Sequence, residues 1–313
     1  MNGLPNTLVG PAELETVRTF VEQRFPLYMS PTIDSIWKLY DEAKQGRWNP
    51  QRDVDWDALS AEDYDEDVRR AARRTYSRRA WNEATGLTET PALLIRFCME
   101  TGREIDPKFF LTVRNTEEVW NIECFDRVAE IFGGRIDRPA NPAYEAVFNQ
   151  HRHRRIIDYS QTLDAYVAVH AAFEDGLEYV LSEAWRSEAE NPVIAGMFDH
   201  IVRAKKRHGT FGWLYLEHRA PEWSEEDRTR IADELVTYIN DIVLAGLQCP
   251  WLSPETAGAE AEADAVTAEA GLGAASKEAE TGVLVDFFAD ARSRFEGLGI
   301  ALPRINSNRL GWL

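Results

Sequence analysis

The fold expected from the sequence is all-α, an antiparallel helical bundle with extra N-terminal and C-terminal helices. Strand signals are nearly absent, whereas apolar residues recur at helical spacing along most of the chain. The long periodic stretches fall into two hairpins, with turns near Gly102 to Pro107 and near Ser187 to Pro192. Several apolar stripes also carry ionisable or amide residues on the face that should look inward.

In chain order, Pro11 opens a helix with Leu14, Val17, Phe20, Val21 and Phe25 on one stripe. A short helix follows from Ser35 to Gln45. An irregular segment then runs from Gly46 through Trp48-Asn49-Pro50 to Trp56. Four long helices are expected over 63–101, 107–133, 155–187 and 193–219, and another from Ser224 to Leu247. Residues 254–282 are rich in Ala, Glu, Gly and Thr and hold almost no large apolar side chain. Such a segment cannot bury enough surface to offset its ordering entropy, so a disordered acidic linker is expected. Beyond it Leu284, Phe287, Phe288, Ala291 and Phe295 fall at helical spacing, and this helix should dock, burying Leu298 too. The expected organisation is 1–62 as N-terminal helices and lead-in, 63–253 as the bundle with its following helix, 254–282 as linker, and 283–313 as docking helix and tail.

Composition narrows the function. The 313 residues carry a formal net charge of -18, which disfavours nucleic acid as a partner. No run approaches the roughly 18 apolar residues of a membrane span, and no secretory signal is apparent at the N-terminus. Cys98, Cys124 and Cys249 are scattered and odd in number, which fits a reducing compartment. A cytoplasmic location is expected. There is no P-loop, dinucleotide fingerprint, Gly-x-Ser-x-Gly or paired-Cys zinc pattern.

Helical phase locates the unusual residues. On 107–133, Leu111, Glu118, Ile122, Phe125, Val128 and Phe132 share a face, with Asn121 beside Ile122. On 193–219 the stripe is Ile194, Met197, Ile201, Lys205, His208, Phe211 and Tyr215. On 155–187 it is Leu163, Tyr166, His170, Glu174, Leu177 and Leu181. Unpartnered buried charges are expensive, so these groups must meet each other, a metal or a ligand. Counting from the turns puts Glu174 level with Lys205, and Glu118 level with Glu89. Phase instead favours Glu83, which shares a stripe with Leu87, Thr90, Leu94 and Phe97. Height is preferred, because six residues span about 9 Å of helix, and Glu83 is the alternative.

Two stretches carry a resemblance. Ile201-Val202-Arg203-Ala204-Lys205-Lys206-Arg207-His208-Gly209-Thr210-Phe211-Gly212 and Thr116-Glu117-Glu118-Val119-Trp120-Asn121 each look like the Asp-Glu-x-x-His motif of ferritin-like di-iron carboxylate proteins. The resemblance covers about residues 63 to 220. It implies a four-helix bundle with one Glu from each of two helices and a Glu-x-x-His from each of the others. The segment from Trp48 to Trp56 also resembles a lead-in of some bacterial ferritin-like oxygenases. Carried over by position, Glu89 takes the first Glu role, Glu118 with Asn121 the first motif, Glu174 the third-helix role, and Lys205 with His208 the second motif. Both motifs depart from the pattern, with Lys205 in place of a bridging Glu and Asn121 in place of a His.

The catalytic candidates are therefore Lys205, Glu118, Glu174 and His208. The metal candidates are Glu89, Glu118, Glu174 and His208, with Glu83, His170 and Asn121 behind them. A neutral Lys205 could serve as base or nucleophile; a charged one could anchor an anion or pair with Glu174 and Glu118. A single iron or manganese ion suits the remaining ligands, and a metal-free centre is equally open. Trp120, Phe125, Phe211, Trp213 and Tyr215 could line a pocket. The run His151-Arg152-His153-Arg154-Arg155 is read as a solvated helix start. Arg73, Arg74, Arg78 and Arg79 are expected to pair with Asp63, Asp65, Glu66 and Asp67. The resemblance implies an oxidoreductase tailoring a small organic molecule, in a biosynthetic role. The alternative is a non-catalytic ferritin-like subunit or binding module. A homodimer or a paired ferritin-like subunit would suit either.

Overall fold

Helix α1, Asp34–Gln45, packs against the long helix α4, Asp106–Ile131. The computed structural model describes residues 31–100, 104–137, 141–151 and 155–313. The helix expected from Pro11 lies outside them, as do Arg152, His153 and Arg154 of the basic run. After α1, Trp48 is buried, stacked on His200 at 4.5 Å and edge-on to Trp120 at 5.8 Å. The lead-in is thereby fastened to the bundle.

The first bundle rod is broken in two. Helix α2 is Glu66–Glu83, with Asp65 accepting from the Val68 N–H as its cap, and α3 is Gly86–Glu100. Pro91 inside α3 has no N–H to give the turn before it. The break puts Glu83 at the end of one piece and Glu89 in the first turns of the next. Both pieces run antiparallel to α4: Glu83 meets Asn121, and Glu89 meets Arg114.

After α4 comes a short helix that periodicity did not mark out, α5, Pro142–Gln150. The third rod, α6, begins at Leu163 under a Thr162 cap rather than near 155. It consists of an α-helical turn Leu163–Tyr166, a π-helical stretch Val167–Glu174, and an α-helix Asp175–Ser187. Helix α7, Pro192–Arg219, starts at an Asn191 cap and returns antiparallel along α6. The two approach very closely. A Cβ on Gly209 would lie 3.1 Å from the Gly176 Cα, and one on Gly212 would lie 2.1 Å from the Ala171 carbonyl carbon. Helix α8, Glu225–Tyr238, opens with a Ser224–Asp227 capping box and runs into a π turn, Ile239–Val243.

Residues 254–282 depart from the disorder expected of them. They contain helix α9, Pro254–Glu269, which packs along α2. Its anchors are polar. Asp264 accepts from Arg78 at 2.6 Å and from the Thr75 hydroxyl at 2.8 Å, and Thr267 sits 3.2 Å from Thr75. Tyr76 donates to the Leu272 carbonyl and Arg79 to that of Gly273. Ala favours helix strongly and lets backbones approach, so little apolar area is needed once these bonds are made. The same contacts correct the expected arginine pairs. Arg78 and Arg79 are buried and turn to α9 and the following loop, while Arg69 and Arg70 make the exposed pairs with Glu66 and Asp67.

Helix α10, Lys277–Gly297, docks as expected, burying Leu284, Phe287, Phe288, Ala291 and Phe295, with Leu298 half-buried. A minimal hairpin pairs Asn306–Ser307 with Gly311–Trp312.

Candidate functional site: a buried layer of carboxylates, cations and imidazoles

Four rods contribute to a continuous polar layer inside the bundle. Its members are buried: Glu83, Glu89, Arg114, Glu118, Asn121, His170, Glu174, Asp175, Lys205 and His208 each have less than a tenth of their surface exposed. The layer resolves into four groups.

The first surrounds Lys205 on α7. Its ammonium lies 2.6 Å from Glu83 and pairs also with Glu178 of α6. The Asn121 amide donates to Glu83 at 2.9 Å, and its oxygen has no partner. Burial alone would favour the neutral amine. Glu178, Glu83 and Asp175 overcome that and hold the amine well above its usual range, so it stays charged. The neutral base or nucleophile considered for Lys205 is therefore not favoured here.

The second group surrounds Arg114 on α4. The guanidinium is 2.6 Å from Glu89, 2.8 Å from Asp175 and 3.0 Å from Glu118, and it also meets the Thr90 hydroxyl. Burial opposes its charge, while Asp175, Glu118 and Glu89 together keep it protonated. Glu118 receives a hydrogen bond from Thr90 at 2.7 Å. Its carboxyl is pushed up to about 7 by burial, against the pull of Arg114. Gly86 makes room for it, since a Cβ there would lie 2.6 Å from the Glu118 carboxyl carbon.

The third group is His208 with Glu117 and Arg207. The imidazole Nε2 is 2.9 Å from Glu117, which also pairs with Arg207. Nδ1 has no partner. Burial, reinforced by Arg114, Lys205 and Arg207, holds this imidazole well below its usual range and therefore neutral.

The fourth group is Glu174 with two imidazoles. His151 Nε2 and His170 Nδ1 each lie 2.8 Å from one of its oxygens. Burial opposes the charge on Glu174, but the two imidazoles prevail and hold its carboxyl far below the usual range. Glu89 completes a set whose donor atoms all lie within 4.8 Å of one another.

The sequence candidates are thus gathered into one layer but divided within it. Lys205 does not pair with Glu174, which lies one turn from the actual partner, Glu178. The level count compared backbone heights along two ordinary α-helical segments, 175–187 and 192–205, whereas a helical side chain leans toward the N-terminus of its helix, so Lys205 reaches back toward the turn and meets Glu178. Glu83, the alternative, reaches Asn121 and Lys205, whereas Glu89 reaches Arg114. The aromatics considered for a pocket make ring contacts instead: Phe211 stacks on Phe110 at 4.9 Å, Tyr215 meets Phe97 at 4.8 Å, and Trp213 meets Phe295 at 4.6 Å. Helical phase and spacing did not point to Arg114, Glu117, Asp175, Glu178 or His151 as members of the layer. Arg114 had a signal, four residues before Glu118 on one helical face. His151 was hidden by its basic neighbours.

No family model matches the chain, and no curated protein does. Solved structures do. An R2-like ligand-binding oxidase with aerobically reconstituted metal cofactor after photoconversion is 14% identical, aligned over 90% of this chain and 96% of its own, with a TM-score of 0.61. The R2-like ligand-binding oxidase with aerobically reconstituted Mn/Fe cofactor after a long soak is 15% identical over the same shares, at a TM-score of 0.60. The architecture of this chain is that ferritin-like helical fold.

Proposed function

We propose that this chain is an oxidase-type enzyme that modifies a small organic molecule, working from a remodelled centre that holds no more than one metal ion. The observation that carries the reading is Lys205, whose ammonium sits between Glu83 and Glu178. The similar oxidases are described with a metal cofactor, Mn/Fe in one case. A two-metal group does not fit the corresponding residues here. Lys205 and Arg114 already supply two positive charges to the carboxylates, and the Asn121 amide points a donor at Glu83. Two further cations would be repelled at distances where charges interact strongly.

The side chains themselves offer proton chemistry. Glu118, pushed up to about 7, can hold or release a proton near neutral pH, the range in which a general acid or base is effective. Arg114 fixes the orientation of three carboxylates at once. The substrate class, a small organic molecule, rests on the fold likeness. The second reading, a non-catalytic subunit that pairs with another protein, draws support from the closure of the layer: Glu118, Lys205 and His208 are buried, and each is engaged by side chains of the layer, Arg114, Glu83 with Glu178, and Glu117 respectively.

Metal analysis separates these readings. The native protein should hold one ion per chain or none. Lys205→Glu with Asn121→His makes the layer more negative by about two charges and adds an imidazole, and should raise uptake to about two irons. Native protein with two tightly bound ions would overturn the reading. Native protein that binds neither metal nor small molecules would transfer the weight to the subunit reading.

A further inference from the structure

Glu89, His151, His170 and Glu174 use neither of the two short motifs. They come from α3, from the turn after α5, and from the π stretch of α6. The geometry points to a mononuclear site for a divalent transition metal, iron or manganese, at this quartet. The inference rests on the reading that the chain holds at most one ion, and it gives that ion a place.

The donor set is two carboxylates and two imidazoles, a combination that suits iron or manganese and also tolerates zinc. All four residues are buried, the imidazoles completely. Their donor atoms lie within 4.8 Å of one another. Ligands about 2.1 Å from a common ion are at most about 4.2 Å apart, so the set would close by roughly half an ångström. The charges are compatible, since Arg114 divides one positive charge among Glu89, Glu118 and Asp175, and Glu174 is contacted by imidazoles and not by a Lys or Arg. Arg114 holds one oxygen of Glu89 at 2.6 Å, the orienting role that outer partners play around metals. The π stretch contributes as well. With more than four residues per turn, it brings His170 and Glu174, four apart, onto one side.

A second observation points to a ligand. Both ring nitrogens of His151 and the Nε2 of His170 are buried and lack hydrogen-bond partners, and the Tyr166 hydroxyl, whose ring lies 4.5 Å from His170, also has none. The contacts to Glu174 leave these atoms unsatisfied, which is costly in a buried site.

The test uses the full chain, stripped of metal and titrated with manganese(II), then with cobalt(II) as a visible-absorbing probe. One ion should bind per chain, and pulsed EPR of the manganese form of the native protein should show nitrogen couplings from two imidazoles. His170→Asn and His151→Gln should each weaken binding at least tenfold, while His200→Gln, outside the layer, leaves it unchanged. The EPR reading needs no variant, so a variant that fails to fold does not remove the test. A single ion without two-imidazole couplings, or one lost with His208→Gln and kept in His170→Asn, overturns the quartet while leaving the one-ion reading intact. Two ions per chain overturn that reading itself. A native protein that binds no ion overturns the quartet.

Discussion

At the level of single residues, the centre is governed by side chains that act as cations. Lys205 and Arg114 take the buried carboxylates as partners, and the cost of desolvating so many charges appears in their titration. Glu118 gives this a measurable form. Its carboxyl is pushed up to about 7 from an ordinary 4.5, first by burial. Between those values the folded chain keeps a proton that the unfolded chain has released. The stability tied to this group is therefore fully present below about pH 4.5 and is lost as pH rises through about 7. Glu118→Gln should flatten that decline. Urea midpoints across pH 4.5 to 7 should fall less steeply in the variant than in the native protein, and an equal slope would contradict the assignment. The sequence revealed Lys205, Glu118, Asn121 and His208 through spacing on helical faces. It did not reveal their pairing, because partners such as Glu178 and Asp175 are chosen by the relative height of two helices and by the lean of each side chain toward its helix N-terminus.

At the level of elements, contact between α6 and α7 depends on glycine. Gly212→Ala would set a Cβ 2.1 Å from backbone of the facing rod, which forces the helices apart. A loss of about 3 kcal/mol or more is expected. At Gly196, on the same helix, an added Cβ would meet open space. There Gly→Ala should stabilise by about 0.5–1 kcal/mol through helix propensity. Denaturation of both variants checks the pair, and equal effects would mean the close approach is not rigid. Most helices were legible from periodicity, and several ends from caps and Pro. The break between α2 and α3 was not, though Gly86 and Pro91 marked a disturbance there. Helix α9 was missed for a different reason. Its apolar content is low, and its stability comes from distant partners, Arg78 and Thr75, which no local reading can supply.

At the level of the whole molecule, α9 and α10 close one side of the bundle, tied by Asp264 to Arg78 and by Glu280 to Trp185 and Trp251. Residues 254–282 should resist limited proteolysis in the native protein. Asp264→Ala should leave the buried Arg78 uncompensated, lower stability by about 3 kcal/mol, and expose the segment to cleavage; rapid cleavage of the native chain there would contradict the docked helix. Lys205 occupies one motif position and Arg114 pairs with Glu118 at another, and the site inferred for a metal ion keeps Glu89 and Glu174 but lies outside the two motifs. Anomalous X-ray scattering at the iron and manganese edges, from crystals of protein purified with both metals available, tests this division most directly. One peak is expected, among Glu89, His151, His170 and Glu174, and none between Glu118, Lys205 and His208. A pair of peaks flanking Glu118, with Lys205 displaced from Glu83 and Glu178, would contradict it.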